Sequence, residues 1–240
     1  MVKVEEVKVQ LFRSIFHNDL EEFVQEANNN NILYAILRGH LHIEREIVKL
    51  LNLKLENPKQ ILSHNFGFVN KIRLAVALGL IDVESMEAYI AFNTVRNKYA
   101  HQLDYELNEK DLKEIRKKFC SSLESEYTKG VLTPSTSFLK DDSFSNDGEL
   151  SLVARFRGII VILWRHLKTI LYNSISKEID DYLRIKESEI KSMLRREMVE
   201  QGVVKIDASS TRVEEEFQKR AKLFFNSVEE GIEDIIKSKT

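Results

Sequence analysis

Apolar residues recur along most of the chain at the three- and four-residue spacing of α-helices. The clearest run lies in residues 32–55, where the apolar positions are Ile32, Leu33, Ile36, Leu37, Leu41, Ile43, Ile47, Leu50, Leu51 and Leu55. This spacing places the apolar side chains on one face of a helix. The helix is predicted to end at Asn57-Pro58, because the residue before a proline disfavours the helical region.

Shorter amphipathic stretches lie on both sides of this run. They predict helices over residues 19–27, 66–80, 83–100 and 109–121. Asn108 suits the N-cap of the last of these helices, because its side chain can accept hydrogen bonds from the free amides of the first turn. Only eight glycines and two prolines occur in the chain. Such a low content of helix breakers favours an all-α fold over a turn-rich sheet protein.

A change in composition divides the helical pattern into two parts. Residues 128–147 contain Gly130, Pro134 and several serines and threonines, which indicate a loop or linker. Helical periodicity returns at residue 149, with a long helix to about 182, a continuation to about 200 and a last helix from 211 to 237. We therefore predict a helical bundle in residues 1–125, a linker or loop at 126–148, and a C-terminal helical region at 149–240 for packing or dimerisation.

The first helix of the C-terminal region is apolar on nearly all sides. Between residues 150 and 176 it carries no acidic residue and four basic ones, which are Arg155, Arg157, Arg165 and Lys168. A helix of this kind is usually buried between other helices or in a subunit interface. We predict that it packs in the core or in a dimer interface.

The overall composition excludes several classes of protein. The formal net charge of -2 leaves no global nucleic-acid footprint, although a basic surface can still exist locally. Cys120 is the only cysteine, which excludes an intrachain disulfide framework and a cysteine-based zinc site. The longest apolar run, residues 159–164, is far shorter than the roughly 20 residues that cross a bilayer. With no secretory signal at its start, the chain is expected to be cytoplasmic and free of membranes.

One short motif carries residue types suited to phosphate chemistry. Arg96 and His101 are separated by four residues near the end of a predicted helix. An arginine is permanently charged and its planar fork matches two phosphate oxygens, while a histidine can exchange protons near neutral pH. Taken alone the pair is also compatible with a surface ion pair at Arg96 and a C-terminal helix cap at His101.

The surroundings of this pair are similar to the HEPN family. The likeness rests on Ala77-Leu78-Gly79-Leu80 followed by Arg96-Asn97-Lys98-Tyr99-Ala100-His101, and on an earlier segment in which Arg38-Gly39 precedes Glu44. It resembles most the branch that includes mannitol-repressor-like proteins, and it covers about residues 30–120. The resemblance implies a HEPN-type up-and-down bundle of four or five helices that dimerises, here followed by a second all-helical segment.

In active HEPN proteins the arginine and histidine of both subunits meet in a cleft and cut RNA without a metal ion. The resemblance thus implies a metal-independent endoribonuclease without cofactors, with His101 as general acid/base and Arg96 as phosphate clamp. It further implies Asn97, Lys98, Tyr99, Arg38 and Glu44 as RNA-binding or supporting residues, with Tyr99 favoured for core packing over base stacking. A homodimer acting as a toxin or antiviral-defence effector, with RNA and an antitoxin or defence-system protein as partners, is the expected cellular setting.

The spacing of the pair gives an independent reason to expect a second subunit. Five residues along a helix place two α-carbons about 140° apart and about 7.5 Å along the axis. Both side chains reach one cleft only if the helix end loosens or a partner chain completes the site. A two-fold dimer would supply two Arg-His pairs.

Three other readings of the site remain. The chain can be a non-catalytic HEPN module for protein interaction or transcriptional regulation, although no helix-turn-helix is recognisable. It can also be the partner of a nucleotidyl-transfer enzyme that modifies Tyr99 or a neighbour. The cluster of His40, His42 and Glu44 suggests a metal site, but only His40 and Glu44 share a helix face, so no metal site is predicted.

Overall fold

The computed structural model describes residues 2–17, 19–62, 65–130, 150–202, 214–215, 217, 219, 228 and 231–238. These residues form helices and connecting turns, with no β-strand among them, which confirms the all-α class. The helices are α1 (Val2–His17), α2 (Leu20–Ala27), α3 (Ile32–Asn52), α4 (Pro58–Ile61), α5 (Phe68–Ala77), α6 (Val83–His101), α7 (Glu109–Arg116), α8 (Ser121–Gly130) and α9 (Leu152–Glu200). Residues 231–238 are also helical.

Polar side chains fix the starts of the helices that carry the candidate site. Asn31 accepts a hydrogen bond from the backbone amide of Tyr34 at 3.2 Å and begins α3. Asp82 accepts from the amide of Ser85 at 2.6 Å and begins α6. Asn108 caps α7 as predicted, and Asp111 completes a capping box with it.

Several predicted helices have different bounds in the structure, since α3 already ends at Asn52 and α5 covers only Phe68–Ala77. The helix predicted over residues 109–121 ends at Arg116, and a separate helix, α8, begins at Ser121. The region predicted as a helix to about 182 with a continuation to 200 is the single helix α9. Most of the helix predicted over 211–237 lies outside the described residues.

The chain divides into two compact units, of which one contains Arg13–Leu171 and the other Met1–Phe12 with Tyr172–Thr240. This division differs from the predicted segments 1–125 and 149–240, because residues 152–171 of α9 belong to the first unit. Most of the predicted linker, residues 131–148, lies outside the described residues, and residues 126–130 belong to α8.

Residues 152–171 of α9 form a large part of the core of the Arg13–Leu171 unit. Trp164 is buried and stacks on Phe23 of α2, with ring centroids 4.1 Å apart. The Tyr89 hydroxyl of α6 donates to the carbonyl of Leu163 at 3.2 Å. Five further apolar side chains of this segment have no exposed surface, and these are Phe156, Ile159, Ile160, Leu163 and Leu167. The segment is thus apolar on nearly all sides because helices cover it from several directions.

Gly39 allows α3 and α9 to approach closely. A Cβ atom at this position would overlap Cγ2 of Ile160 and lie 3.3 Å from its Cδ1. Gly39 precedes His40 directly, so this contact holds in place the part of α3 that carries His40.

A group of charged side chains is buried where α9 meets α2 and α3. Lys168 is 1% exposed and Glu46 is 0% exposed. The Lys168 ammonium donates to the carbonyl of Ile15 at 2.7 Å and to Oδ2 of Asp19 at 3.0 Å, and lies 3.3 Å from Oε1 of Glu46. Burial alone would raise the pKa of Asp19, but the hydrogen bond and charge of Lys168, with those of Lys49, lower it to about 2.

The other unit is held by contacts between residues that are distant in sequence. Lys8 donates to Asp180 at 2.9 Å, and the rings of Phe12 and Tyr172 meet edge to face with centroids 5.8 Å apart. Lys191 pairs with Glu187 on its own helix and with Glu214, at 2.5 Å in each case. Among the described residues of the whole chain, no helix combines the length and apolarity needed to span a membrane.

Candidate phosphate-binding pocket

A pocket of about 350 Å³ opens where α3, α5 and α6 meet. It is lined by His40, Glu44, Gly67, Phe68, Val69, Asn70, Asn93, Arg96 and Asn97. One acidic side chain, one guanidinium, one imidazole and three amides therefore face a common space. Such a concave site with a few polar groups is the usual form of a ligand pocket.

Arg96 of α6 supplies the positive charge of this pocket. Its Nη1 donates to the side-chain oxygen of Asn97 at 3.1 Å. Its Nε is buried and has no hydrogen-bond partner among the described residues. A buried donor that stays unpaired costs about 1–3 kcal/mol, and a charged donor costs more. The guanidinium is therefore suited to receive an anion.

His40 of α3 is buried against the inner wall of the pocket and is only 3% exposed. Its ring lies 4.3 Å from that of Phe68 and 6.1 Å from that of Phe92, measured between centroids. Nε2 of His40 is 2.9 Å from the side-chain oxygen of Asn93. An amide oxygen can only accept, so Nε2 carries the proton and donates.

The surroundings of His40 favour its neutral form. Burial is the main cause that lowers the pKa of His40, and the positive charges of Arg96 and Lys71 act in the same direction. The Asn93 hydrogen bond and the carboxylate of Glu44 oppose this shift. Because the single proton of the neutral ring is on Nε2, Nδ1 is bare. Nδ1 lies 3.9 Å from Glu44 and has no hydrogen-bond partner among the described residues.

Glu44 lines the pocket without cancelling the charge of Arg96. Its carboxylate accepts a hydrogen bond from Lys71 of α5 at 2.6 Å. Glu44, which the sequence analysis named as an RNA-binding or supporting residue, thus lines the pocket and pairs with Lys71. Since Lys71 neutralises Glu44, the pocket keeps a net positive charge from Arg96.

His101 does not line this pocket. It is the last residue of α6 and its side chain is exposed. Of the two residues predicted to carry catalysis, one chain thus places only Arg96 in the pocket. The helical spacing of the two residues already predicted this separation.

Lys98 and Tyr99 take part in the contact of α6 with the segment that leads to α7. Lys98 donates to Asp111 at 2.9 Å and lies over the ring of Tyr105 at 5.4 Å. Tyr99 meets Tyr105 edge to face at 4.8 Å and is half-buried. Neither residue lines the pocket, so the structure gives both a packing role.

Arg38 lies in a separate cluster between α2 and α3. Its guanidinium pairs with Glu26 at 2.5 Å and with Glu22 at 3.6 Å, and His42 contacts Glu26 at 2.5 Å. The metal-ligating atoms of Glu22, Glu26 and His42 lie within 4.8 Å of one another. Arg38 already compensates the charge of both carboxylates, so we interpret this group as an ion-pair cluster that connects the two helices.

The pocket contains three polar residues that the sequence analysis did not assign to it, namely His40, Asn70 and Asn93. Asn93 precedes Arg96 by three residues, so both lie on the same face of α6. That spacing is visible in the sequence and could have indicated Asn93. The pairing of Asn93 with His40 joins positions 53 residues apart and could not.

Comparison of the chain with protein-family models, with curated proteins and with solved structures gave no match.

Proposed function

We propose that this chain is a metal-independent endoribonuclease that acts as a dimer. The observation that supports this function best is the guanidinium of Arg96, which lines the pocket and has no carboxylate partner among the described residues. An RNA phosphodiester is an anion whose oxygens match a guanidinium. The likeness to HEPN proteins supplies the second reason, since the same arginine occupies the place of their phosphate clamp.

The proposed reaction requires two proton transfers at one phosphate. The 2'-hydroxyl loses its proton and attacks phosphorus, a 2',3'-cyclic phosphate forms, and the 5'-oxygen leaves with a proton. Arg96 stabilises the negative charge of the pentacoordinate phosphate. His101 exchanges the protons, because an imidazole can both accept a proton and donate one. No metal ion takes part in these steps.

Dimerisation brings His101 to the pocket in this proposal. Within one chain His101 lies at the exposed end of α6 while Arg96 lies in the pocket. A two-fold axis near the end of α6 would place His101 of the partner subunit opposite Arg96. Each dimer would then contain two composite sites.

A cleavage assay with matched controls tests the activity. His101→Ala is expected to slow RNA cleavage in the presence of EDTA by about 10²- to 10⁴-fold, and Arg96→Ala by about 10²- to 10³-fold. His17→Ala and Arg73→Ala are the controls, because both side chains are exposed on helices of the same unit. Undiminished cleavage by His101→Ala would contradict the assignment.

Mixing the two inactive variants tests whether the site is shared between subunits. In a heterodimer of Arg96→Ala and His101→Ala chains, a shared site has one intact Arg-His pair. Random assortment then restores about a quarter of the wild-type rate. If both residues acted within one chain, the mixture would stay inactive.

The cellular role as a toxin or antiviral-defence effector belongs to the same proposal and rests on the HEPN likeness alone. A protein that binds RNA through Arg96 but does not cleave it would favour the non-catalytic module. The proposed localisation is the cytoplasm, because the RNA substrate is found there.

A further inference from the structure

We propose that Asn93 is a second ligand of the RNA phosphate, and that His40 is a positioning residue that holds the amide of Asn93 in its binding orientation. This inference rests on the proposed function, because it takes the pocket of Arg96 as the place where a phosphodiester binds.

The orientation of the Asn93 amide follows from its contact with His40. The Nε2–H group of His40 donates to Oδ1 of Asn93 across 2.9 Å. In this tautomer the turned-over amide would set its NH₂ group against the Nε2–H group, and the hydrogen bond would be lost. Losing a buried hydrogen bond in this way costs about 1–3 kcal/mol. The other tautomer of His40, with its proton on Nδ1, would instead accept from Nδ2 of the turned-over amide. With His40 protonated on Nε2, the contact therefore keeps Oδ1 on His40 and turns Nδ2 away from it.

The Nδ2 group is then available to a ligand. Asn93 lines the pocket, and within the described part of the chain no hydrogen bond occupies its Nδ2. Arg96 follows three residues later on the same face of α6. Its buried Nε is also without a partner there. Asn93 and Arg96 both line the pocket, and an amide beside a guanidinium fits the several oxygens of a phosphodiester.

Packing fixes the position of the His40 imidazole beside Asn93. Phe68 of α5 and Phe92 of α6 lie beside its ring, and the side chain is almost completely buried. The charged groups around it are Glu44 on its own helix, Lys71 on α5 and Arg96 on α6. Because the ring is buried and its Nε2 is already used, His40 acts through Asn93 and does not contact the phosphate itself.

Binding of a non-cleavable RNA is the measurement that tests this inference. The probe is a short, fluorescently labelled 2'-O-methyl oligonucleotide, which lacks the attacking hydroxyl, and the Kd is measured by anisotropy at fixed salt. Asn93→Ala is expected to raise the Kd about tenfold, which is the loss of roughly one hydrogen bond. His40→Phe keeps an aromatic ring between Phe68 and Phe92 but removes the donor, and is expected to raise the Kd by a similar factor.

The double variant separates positioning from a general structural effect. If His40 acts through Asn93, then His40→Phe adds nothing in the Asn93→Ala background, and the double variant also binds about tenfold more weakly than wild type. Independent contributions would multiply to about a hundredfold and would overturn the inference. His40→Gln retains a side-chain N–H donor and is expected to restore binding.

Asn93→Asp keeps the test decisive if a His40 variant does not fold. Its carboxylate still accepts from His40 but offers no donor and adds a negative charge, so binding of the probe is expected to be lost. Wild-type affinity for Asn93→Asp would overturn the inference.

Arg96→Ala distinguishes this inference from the proposed function. If Arg96→Ala weakens binding while the His40 and Asn93 variants do not, the pocket binds RNA and the inference is wrong. If wild type and Arg96→Ala bind the probe equally weakly, both are wrong.

Discussion

Burial controls the protonation of two histidines in the Arg13–Leu171 unit. Burial lowers the pKa of both His40 and His166 below the usual value of histidine. The side chains lie in different places, since His40 lines the pocket and His166 contacts the hydroxyl of Tyr89 at 2.7 Å. Both are neutral at pH 7, where the unfolded chain also carries mostly neutral histidines.

The free energy of unfolding is therefore expected to fall on mild acidification. Below about pH 6.5 these two histidines bind protons more readily in the unfolded chain than in the folded protein. The free energy of unfolding therefore decreases as the pH falls from 7 to 5. Asp19, with its pKa of about 2, contributes to the loss of stability only below about pH 4. Urea unfolding at the two pH values measures the loss.

Replacing a buried histidine provides the matched test of this pH dependence. His166→Gln removes one of the two groups, so the difference in stability between pH 7 and pH 5 is expected to shrink. His17→Gln is the control, because His17 is exposed. An equal pH dependence in wild type and His166→Gln would contradict the role of burial.

The buried charges around Lys168 are expected to stabilise the fold only when each has its partner of opposite charge. Lys168→Met leaves Glu46 buried with weaker compensation and is expected to lower the free energy of unfolding by about 3 kcal/mol. Combining it with Glu46→Leu removes both charges and is expected to recover much of this loss. Urea unfolding at pH 7 checks both variants, and a double variant less stable than Lys168→Met would contradict the interpretation.

Sequence reasoning identified the residues of the pocket only where local spacing defines them. Arg96, Asn97 and Glu44 lie in the pocket, whereas Arg38, Lys98, Tyr99 and His101 do not. Helical periodicity fixes the face on which a side chain lies, but it does not say which face of another helix packs there. The hydrogen bond from His40 to Asn93 depends on how α3 packs on α6, and no pattern along the chain contains that information.

At the scale of helices, the contact of α3 with α9 depends on the missing side chain of Gly39. Gly39→Ala is expected to lower the free energy of unfolding by about 1–3 kcal/mol, because the new methyl group overlaps Ile160. In an Ile160→Ala background the overlap disappears, and the same change is expected to be neutral or stabilising, since alanine favours helices by about 1 kcal/mol over glycine. Thermal unfolding of the four proteins measures both effects, and an equal effect in both backgrounds would exclude steric overlap as the cause.

Most helices could be predicted because their apolar faces are long and regular. The end of α7 at Arg116 could not, because no glycine or proline lies in residues 117–121. The turn there brings Phe119 edge to face with Tyr127 at 5.9 Å and allows Arg116 to pair with Glu124. These contacts between α7 and α8 are tertiary, and here they outweigh local helix propensity.

At the scale of the whole molecule, the change in composition does not coincide with the boundary between the compact units. The polar stretch near residues 128–147 suggested a boundary, yet the unit that contains the pocket extends to Leu171. Polarity shows where a chain is solvated. Which helices share a core depends on apolar surface, and residues 152–171 of α9 are apolar enough to be buried with the earlier helices.

The ion pair of Asp19 with Lys168 joins residues 149 positions apart, and this distance affects how the protein is made. During synthesis, the helices of the pocket leave the ribosome well before the segment that covers them. The apolar side chains that later enclose Trp164 stay open to water over that interval, when a growing chain is most prone to associate with others. Long-range closure of this kind also slows folding relative to helical bundles with local contacts. The unit can therefore complete its core only after residue 171 has emerged from the ribosome.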